Sequence, residues 1–220
     1  MTSDEIATGL YSAKKRHMDR PVIQLRQAKP TLEEGLAFAR YLDEASEAFF
    51  RFMLGSRAEQ IIATAFVEPD HDLAYQNVTF AERDNIIVGM TSGYSAEQHR
   101  RSSSRPLQQA AVKSNLRMRL VLILFAPLMR IIDSIADGDF YLLAIAVDEQ
   151  LRGEGIGSVL MDAFEARARE NGSTRLCLDV SAKNESARRF YERRGMAIAS
   201  QWPKYLPIPG LTFYRMVKTL

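Results

Sequence analysis

Residues 144–157 read AIAVDEQLRGEGIG, an apolar run that ends in a polar, glycine-rich loop. The apolar residues from 141 to 147 predict a buried strand, and the amphipathic segment after Gly157 predicts a helix. A strand, a glycine loop and a helix in this order direct several backbone N–H groups toward one point, at the positive end of the helix dipole. The stretch therefore predicts a binding site for an anion such as a phosphate or pyrophosphate.

The segment after the loop has the spacing of a helix that packs on a sheet. Its apolar residues recur at intervals of three and four, at Ile156, Val159, Leu160, Ala163 and Phe164. Asn171-Gly172 is expected to end this helix, and the alternating residues 176–180 predict the next strand. Two strands joined in this way are expected to be parallel, with a right-handed crossover.

The pattern elsewhere adds strands and helices to this unit, with no internal repeat and no second core. Further strands are predicted at 22–26, 77–83, 86–90, 196–200 and 211–218. Further helices are predicted at 31–55, 57–67, 107–114, 116–135 and 184–194. The sequence thus predicts one mixed α/β domain at 21–220, with a helical insert at about 96–135 and a loop at 202–210 that contains three prolines.

Composition and charge narrow the class of function. The chain has 220 residues, 46% hydrophobic and 25% charged, which is typical of a soluble globular protein. A net charge of +2 gives no electrostatic argument for binding nucleic acid or a membrane surface. The lone Cys177 fits a cytoplasmic protein without disulfides, and no His, Cys or carboxylate spacing indicates a metal site. Residues 1–20 lack a secretory signal and are expected to form a flexible tail.

Three nucleotide-binding patterns can be compared with the glycine loop. A P-loop requires a Lys after its last glycine, and none follows here. A dinucleotide fold requires G-x-G-x-x-G, but Ser158 stands at the last position, although Asp179 lies at a suitable distance for a ribose-binding acid. The third pattern, R-x-x-G-x-G, is met by Arg152, Gly155 and Gly157.

With this third pattern the chain resembles the GNAT acetyltransferases, in which a strand ending in Val is followed by R-G-x-G-I-G and a helix. A second motif of that family, N-x-x-[AS]-x-x-x-Y-x-x-x-G-[FM], is matched between Asn184 and Met196. Asn184 and Tyr191 are seven residues apart and so lie on one face of the predicted helix. The resemblance is close from about Asp139 to Gly195.

The resemblance implies a GNAT fold, with a mixed, mostly antiparallel sheet, a splayed pair of parallel strands and helices on both faces. It implies acetyl-CoA as cosubstrate, with pantetheine along the exposed strand edge and pyrophosphate at the glycine loop. The residues implied to bind it are Ile145, Ala146, Val147, Arg152, Gly153, Gly155, Ile156, Gly157, Ser158, Asn184 and Tyr191. Tyr191 is implied beside the thioester sulfur and is the expected general acid, because a phenol can protonate a departing thiolate.

The activity implied is transfer of the acetyl group to a primary amine by direct attack in a ternary complex. A transferase of another acyl group, and a non-catalytic acetyl-CoA sensor, are the alternatives. Many family members carry a Glu in the central strand, but here residues 142–145 read LLAI, so no carboxylate base is evident. The candidates that could act through water are Asp139, Glu44, Glu47 and Glu82.

The acceptor is expected to be a small-molecule amine or a peptide amine. The first two helices, the insert and the 202–210 loop should frame its site, and a homodimer is an open alternative. Four aromatic residues are candidates for the lining: Tyr94, Tyr141, Trp202 and Tyr205. The arginines after Asn184 are expected to form a solvated helix face: Arg188, Arg189, Arg193 and Arg194.

Overall fold

The computed structural model describes residues 22–111, 115–124, 126, 134–203 and 212–220. Its strands are β1 (Gln24–Gln27), β2 (Val78–Arg83), β3 (Ile86–Ser95), β4 (Asp139–Val147), β5 (Arg175–Ser181), β6 (Ala197–Trp202) and β7 (Phe213–Thr219). They form one sheet in the order β1-β2-β3-β4-β5-β7-β6. Every neighbouring pair is antiparallel except β4 and β5, which are parallel. The predicted tail, most of the 202–210 loop and the end of the insert lie outside the described residues.

Helices cover both faces of this sheet, as the resemblance to the GNAT acetyltransferases implied. They are α1 (Leu32–Ala45), α2 (Phe49–Leu54), α3 (Ala58–Phe66), α4 (Ala96–Arg101), α5 (Arg105–Ala110), α6 (Asn115–Leu124), α7 (Ile156–Glu170) and α8 (Glu185–Arg193). One core packs α1, α2, α3 and α6 against β2, β3 and β4. A second core packs α7 and α8 against β4, β5 and β7. No helix among the described residues is both long enough and apolar enough to cross a membrane.

The helix predicted at 31–55 is two helices, so that prediction was wrong. The helix is interrupted between α1 and α2, where Glu47 and Ala48 have positive φ values of 51° and 64°. Asp43 stabilises the break, because its carboxylate accepts a hydrogen bond of 3.1 Å from the backbone N–H of Arg51 and forms an ion pair with the Arg51 side chain. The helical spacing of the apolar residues continues through this break and therefore conceals it.

The hairpin of β2 and β3 is confirmed, with Asp84 and Asn85 at positive φ in its turn. β3, however, runs to Ser95 and not to Met90 as predicted. Its last five residues are polar or small, but Thr91 and Ser92 are buried in the middle of the sheet. Polar residues at the centre of the sheet misled the prediction, which ended the strand at Met90.

A β-bulge interrupts β4 near its middle. Gly93 is opposite Leu142 and Ser92 is opposite Ala144, so that Leu143 has no partner on β3. Before the bulge, Phe140 and Leu142 belong to the core beneath α7. Beyond it, Ala144 belongs to the opposite core. Leu143 and Ala144 therefore face the same side, and the alternation of the strand shifts by one residue.

The pairing of β4 with β5 ends early. Only Asp139, Phe140 and Tyr141 have partners on β5, and these are Arg175, Leu176 and Cys177. From residue 142 onward β4 follows β3, while β5 continues along its whole length with β7. The parallel pair is therefore splayed, and one edge of β4 is left open in the interior of the sheet.

Gly93 should tolerate no side chain, because a Cβ there would lie 2.2 Å from the carbonyl oxygen of Tyr141 and 2.6 Å from the ring of Phe164. We expect Gly93→Ala to lower the free energy of unfolding by about 3 kcal/mol or more. Gly172→Ala is the matched control, because nothing lies within 4 Å of its added Cβ and only its positive φ is unfavourable, at about 1–2 kcal/mol. Urea denaturation measures both, and equal losses would contradict the assigned contact.

Candidate active site

A cavity of about 770 Å³ occupies the gap between the splayed strands. Residues 142–145 of β4 form one wall, and residues 178–181 of β5 form another. The cavity continues past Asn184 and Tyr191 of the α8 region to the α1–α2 break and to the residues after α4. One continuous space thus connects the open strand edge with the region in which the acceptor was expected.

The open edge of β4 carries backbone groups that no strand pairs with. Beyond Tyr141, alternate residues of β4 direct their N–H and C=O groups to the side that β5 has left. Backbone polar groups away from water require a partner. An extended molecule that bears amides could add itself here as a further strand would. Ile145, Ala146 and Val147 lie on this part of the strand.

The glycine loop leads directly from this strand into α7. Gly153 and Gly155 have φ values of 88° and 91°, which other residues rarely adopt, and Gly155 is the N-cap of α7. In the described part of the chain, nothing accepts a hydrogen bond from the amides of Gly153, Gly155, Ile156 or Gly157. The first turn, which includes Ser158, contains no acidic residue. Four donors and the positive end of a helix dipole are therefore available to an anion.

Ion pairs hold both sides of the loop. Arg152, predicted to contact the cosubstrate, pairs with Glu44 of α1 and donates from Nε to the carbonyl oxygen of Val147 at 3.3 Å. Glu154 pairs with Arg83 at the end of β2. The Arg152 side chain is 54% exposed, so it can exchange Glu44 for a phosphate at little cost.

Asn184 and Tyr191 meet at the cavity, as their spacing predicted. Asn184 is the N-cap of α8, and its Oδ1 accepts a hydrogen bond of 3.0 Å from the backbone N–H of Ala187. Its Nδ2 group is the other polar end of the same side chain. Tyr191 is buried, and burial raises the pKa of its phenol well above the ordinary value. The phenol therefore stays protonated across the working pH range.

Asp179 is held by Arg215 in a two-pronged ion pair, with Nε–Oδ1 and Nη2–Oδ2 distances of 2.9 and 2.7 Å. The hydroxyl of Tyr141 also donates to Asp179, at 3.2 Å. A carboxylate engaged in this way is not available to hydrogen-bond a ribose. A dinucleotide-binding fold also needs a parallel sheet, whereas this sheet is mostly antiparallel. The dinucleotide alternative is therefore wrong.

Three of the four carboxylates considered as bases have cationic partners. Asp139 is paired with Arg175 at 2.6 Å, and Glu82 is paired with Arg26 at 2.7 Å. Glu44 is paired with Arg152 as described above. Glu47, at the α1–α2 break, is the member of this group that lines the cavity.

The sequence did not predict that Asp72 and His99 form a pair. Nδ1 of His99 lies 2.9 Å from Oδ2 of Asp72, and the His99 ring stacks on Tyr94 with the centroids 5.4 Å apart. Both residues line the cavity. They are 27 positions apart and stand in no motif, so only the fold brings them together. No cluster of three or more potential metal ligands occurs in the residues that the structure describes.

The predicted aromatic lining is correct in part. Tyr94 and Tyr141 line the cavity, with ring centroids 5.7 Å apart. Trp202 is not among the lining residues, and Tyr205 lies outside the described residues. The arginine face also needs correction, because Arg194 is only 21% exposed and pairs with Asp162 and Glu165 of α7.

The family model described as Acetyltransferase (GNAT) family matches residues 38–196. The chain belongs to the GNAT family. A crystal structure described as that of an acetyltransferase superposes on this GNAT domain with a TM-score of 0.62 at 25% identity, covering 89% of this chain and 98% of the other. The fold of this chain is therefore that of an acetyltransferase family.

Two curated relatives are similar over shorter stretches. The mycothiol acetyltransferase of Corynebacterium aurimucosum is 37% identical over 75 residues, which are 33% of this chain and 24% of that protein. The uncharacterized N-acetyltransferase YdgE of Bacillus subtilis is 33% identical over 60 residues, 27% of this chain and 38% of that protein. The matched stretches thus cover about a quarter of the mycothiol acetyltransferase and about two fifths of YdgE.

The lone cysteine should be unreactive in the folded protein. Cys177 is fully buried in β5, and burial raises the pKa of its thiol to about 12. At pH 8 only about 10⁻⁴ of such a thiol is thiolate, against roughly a quarter of a free cysteine. We expect maleimide labelling, followed by mass spectrometry, to be at least 1,000-fold slower than in the urea-unfolded chain. Complete labelling of the native protein within minutes would contradict this assignment.

Proposed function

We propose that this protein transfers the acetyl group of acetyl-CoA to a primary amine, by direct attack within a ternary complex. The observation that carries the proposal is the single cavity that joins the open edge of β4 to the space between α1, α2 and α4. A donor at the edge and an acceptor in that space would meet without a covalent enzyme intermediate. In this proposal residues 21–220 work as one domain, and the acceptor is a small-molecule or peptide amine.

In the donor half of the site, the pantetheine arm and the pyrophosphate of acetyl-CoA each have a matching group of residues along β4 and the glycine loop. The pantetheine arm would bind along β4 as an added strand, and its amides would pair with main-chain groups of that strand. The Nδ2 group of Asn184 would donate to one of its carbonyls, while Oδ1 continues to cap α8. The pyrophosphate would accept from the loop amides. The residues assigned to the cosubstrate are Ile145, Ala146, Val147, Arg152, Gly153, Gly155, Ile156, Gly157, Ser158, Asn184 and Tyr191.

The reaction then needs an oxyanion donor and an acid. A neutral amine attacks the thioester carbon, and the negative charge on the carbonyl oxygen would be stabilised by a backbone N–H of β4 near its bulge. The carbon–sulfur bond breaks, and CoA leaves as a thiolate. Tyr191 would give its phenolic proton to that sulfur, and the excess proton of the acetylated nitrogen would replace it. Because burial raises the pKa of the phenol, Tyr191 still carries its proton when the thiolate forms.

Release of free CoA thiol from acetyl-CoA, measured over a panel of primary amines, tests the proposal. A thermal-shift titration with CoA tests the donor half separately, because ligands that bind only the native state raise the melting temperature. We expect stabilisation by CoA and amine-dependent thiol release. Stabilisation by NAD without stabilisation by CoA would contradict the proposal.

Replacement of Tyr191 by Phe should remove the acid and leave the packing intact. We expect kcat to fall by about 100-fold or more while KM for acetyl-CoA changes little, since the lost proton transfer acts after binding. Steady-state kinetics from pH 6 to 10 measure both constants. An unchanged kcat over that range would show that another group protonates the thiolate.

Asn184→Asp separates the cap of α8 from the binding of pantetheine. Aspartate is as good an N-cap as asparagine, so the melting temperature should be retained. The variant replaces a donor by an acceptor, and we expect KM for acetyl-CoA to rise by about 10-fold or more. Asn184→Ala is the comparison, because it loses both the cap and the donor. A normal KM in the Asp variant would limit Asn184 to its structural role.

A further inference from the structure

One side of α6 is an apolar surface that the described part of the domain leaves exposed. We infer that this surface binds a phospholipid bilayer that carries anionic headgroups. The helix would lie in the plane of the bilayer interface, with its leucine and isoleucine side chains among the acyl chains. This inference goes beyond the proposed function and does not depend on it, because no described residue of α6 lines the cavity.

The opposite side of α6 is used for packing inside the domain. Met118 and Val121 are buried, at 3% and 8% exposed, in the core that α6 shares with α1, α2 and α3. The outer side carries four large apolar residues that are each between 59% and 74% exposed: Leu116, Leu120, Ile123 and Leu124. A helix that is apolar on all sides is normally buried on all sides. The outer side of α6 therefore requires a cover that the described residues do not supply.

The four exposed apolar residues form one continuous stripe along the helix. Successive residues of an α-helix are rotated by about 100°, so these four fall within an arc of roughly 100°. Phe52 of α2, which is 50% exposed, lies beside the helix, because its ring centroid is 6.0 Å from the guanidinium carbon of Arg117. An exposed apolar patch of this kind marks a surface for a partner or a membrane.

Two arginines border the stripe, one on each side. Arg117 and Arg119 are exposed, and the helical rotation places them on opposite flanks of the four apolar residues. Nε of Arg117 donates to the carbonyl oxygen of Phe52 at 3.0 Å, and neither arginine pairs with a carboxylate of the described residues. Arginines at the borders of an apolar helix face can extend their guanidinium groups to lipid phosphates, while their methylene groups stay on the apolar surface.

The sequence around α6 carries charge of one sign. Residues 98–132 contain seven of the 29 Lys and Arg residues of the chain and none of its 27 Asp and Glu residues. Arg100 and Arg101 are balanced by Asp137 and Glu97, which lie outside this range. The net charge of +2, which gave no argument for a membrane surface, conceals this local excess. Each cation near an anionic bilayer strengthens binding by about fivefold.

The same charges disfavour a second copy of this chain as the cover. Two α6 surfaces packed together would bring the arginines of both copies into one interface, and α6 contains no acidic residue to balance them. Cations left without a partner in an interface are costly. A bilayer with anionic headgroups supplies both the apolar cover and the balancing charge.

Co-sedimentation of the full chain with lipid vesicles tests the assignment. We expect binding to vesicles of phosphatidylcholine and phosphatidylglycerol, and weaker binding by roughly tenfold or more to vesicles of phosphatidylcholine alone. Raising NaCl from about 50 mM to about 500 mM should weaken binding to the anionic vesicles, because salt screens the lipid charges. Failure of the wild-type protein to bind the anionic vesicles would overturn the assignment.

Two substitutions in the stripe test the apolar half of the contact. Leu120→Ser and Ile123→Ser should each lower the affinity for anionic vesicles by about tenfold or more, because each removes a side chain that enters the acyl region. Ile86→Ser is the matched control, since Ile86 is 67% exposed at the β2–β3 turn and is not part of the stripe. All three should keep the wild-type melting temperature, because the replaced side chains are exposed. Unchanged affinity in both α6 variants would show adsorption through charge alone and would overturn the assignment.

Arg119→Gln tests the electrostatic half and should lower the affinity about fivefold at low salt. Arg189→Gln is its control, since Arg189 is exposed on α8 and pairs with Glu185 of the same helix. Equal affinities of these two variants would contradict the placement of Arg119 at the headgroups.

Analytical ultracentrifugation examines the second copy as the alternative cover. A dimer that Leu120→Ser dissociates, without binding to vesicles, would overturn the assignment in favour of self-association. Thiol release with a soluble amine should be the same in the wild-type protein and in all these variants. Failure of vesicle binding therefore leaves the proposed function standing, and absence of thiol release would leave the membrane assignment standing.

Discussion

Three residue pairs join β4 to β5, and the whole site depends on where that pairing stops. Each strand is held firmly on its other side, β4 by β3 and β5 by β7. The bulge at Leu143 lies just beyond the last pair, where a bulge bends its strand and increases the local twist. An interior strand edge with open backbone groups is costly in an isolated domain. It becomes favourable when a bound molecule supplies the missing amide partners.

Polar contacts fix the two strands that border the opening. The ion pair of Asp179 with Arg215 ties β5 to β7, and the hydroxyl of Tyr141 links β4 to the same Asp179 at 3.2 Å, at the last residue that still pairs with β5. At the far end of β4, the hydroxyl of Tyr41 donates to Asp148 at 2.8 Å and ties the strand exit to α1. Removing one partner of a buried ion pair leaves an uncompensated charge. These contacts thus anchor β5 beside the opening and β4 at its far end.

The proposed cosubstrate half of the site could be described from the sequence because its residues are local. The glycine loop and the Asn184–Tyr191 helix each carry their spacing within a few turns of chain, and the strand–helix–strand unit follows from periodicity. The pair of Asp72 and His99 in the cavity lining could not be predicted in this way. Its two residues come from a loop and a short helix that are adjacent only after β2, β3 and β4 have paired. The break at Glu47 was hidden because apolar spacing continues across it, and the end of β3 was hidden by its buried polar residues.

The bulge at Leu143 also sets which side chains the far half of β4 presents to each face of the sheet. Leu143 and Ala144 face the same side, so the strand presents Phe140 and Leu142 beneath α7 before the bulge and Ile145 beneath it afterwards. A plain alternation over the same residues, without the bulge, would turn the far half of the strand over. Ile145 and Val147 would then enter the core that now contains Ala144 and Ala146. Loss of the one extra residue would instead leave both halves facing as they do, so β4 could shorten by one residue at this point in the course of evolution without exchanging its two faces.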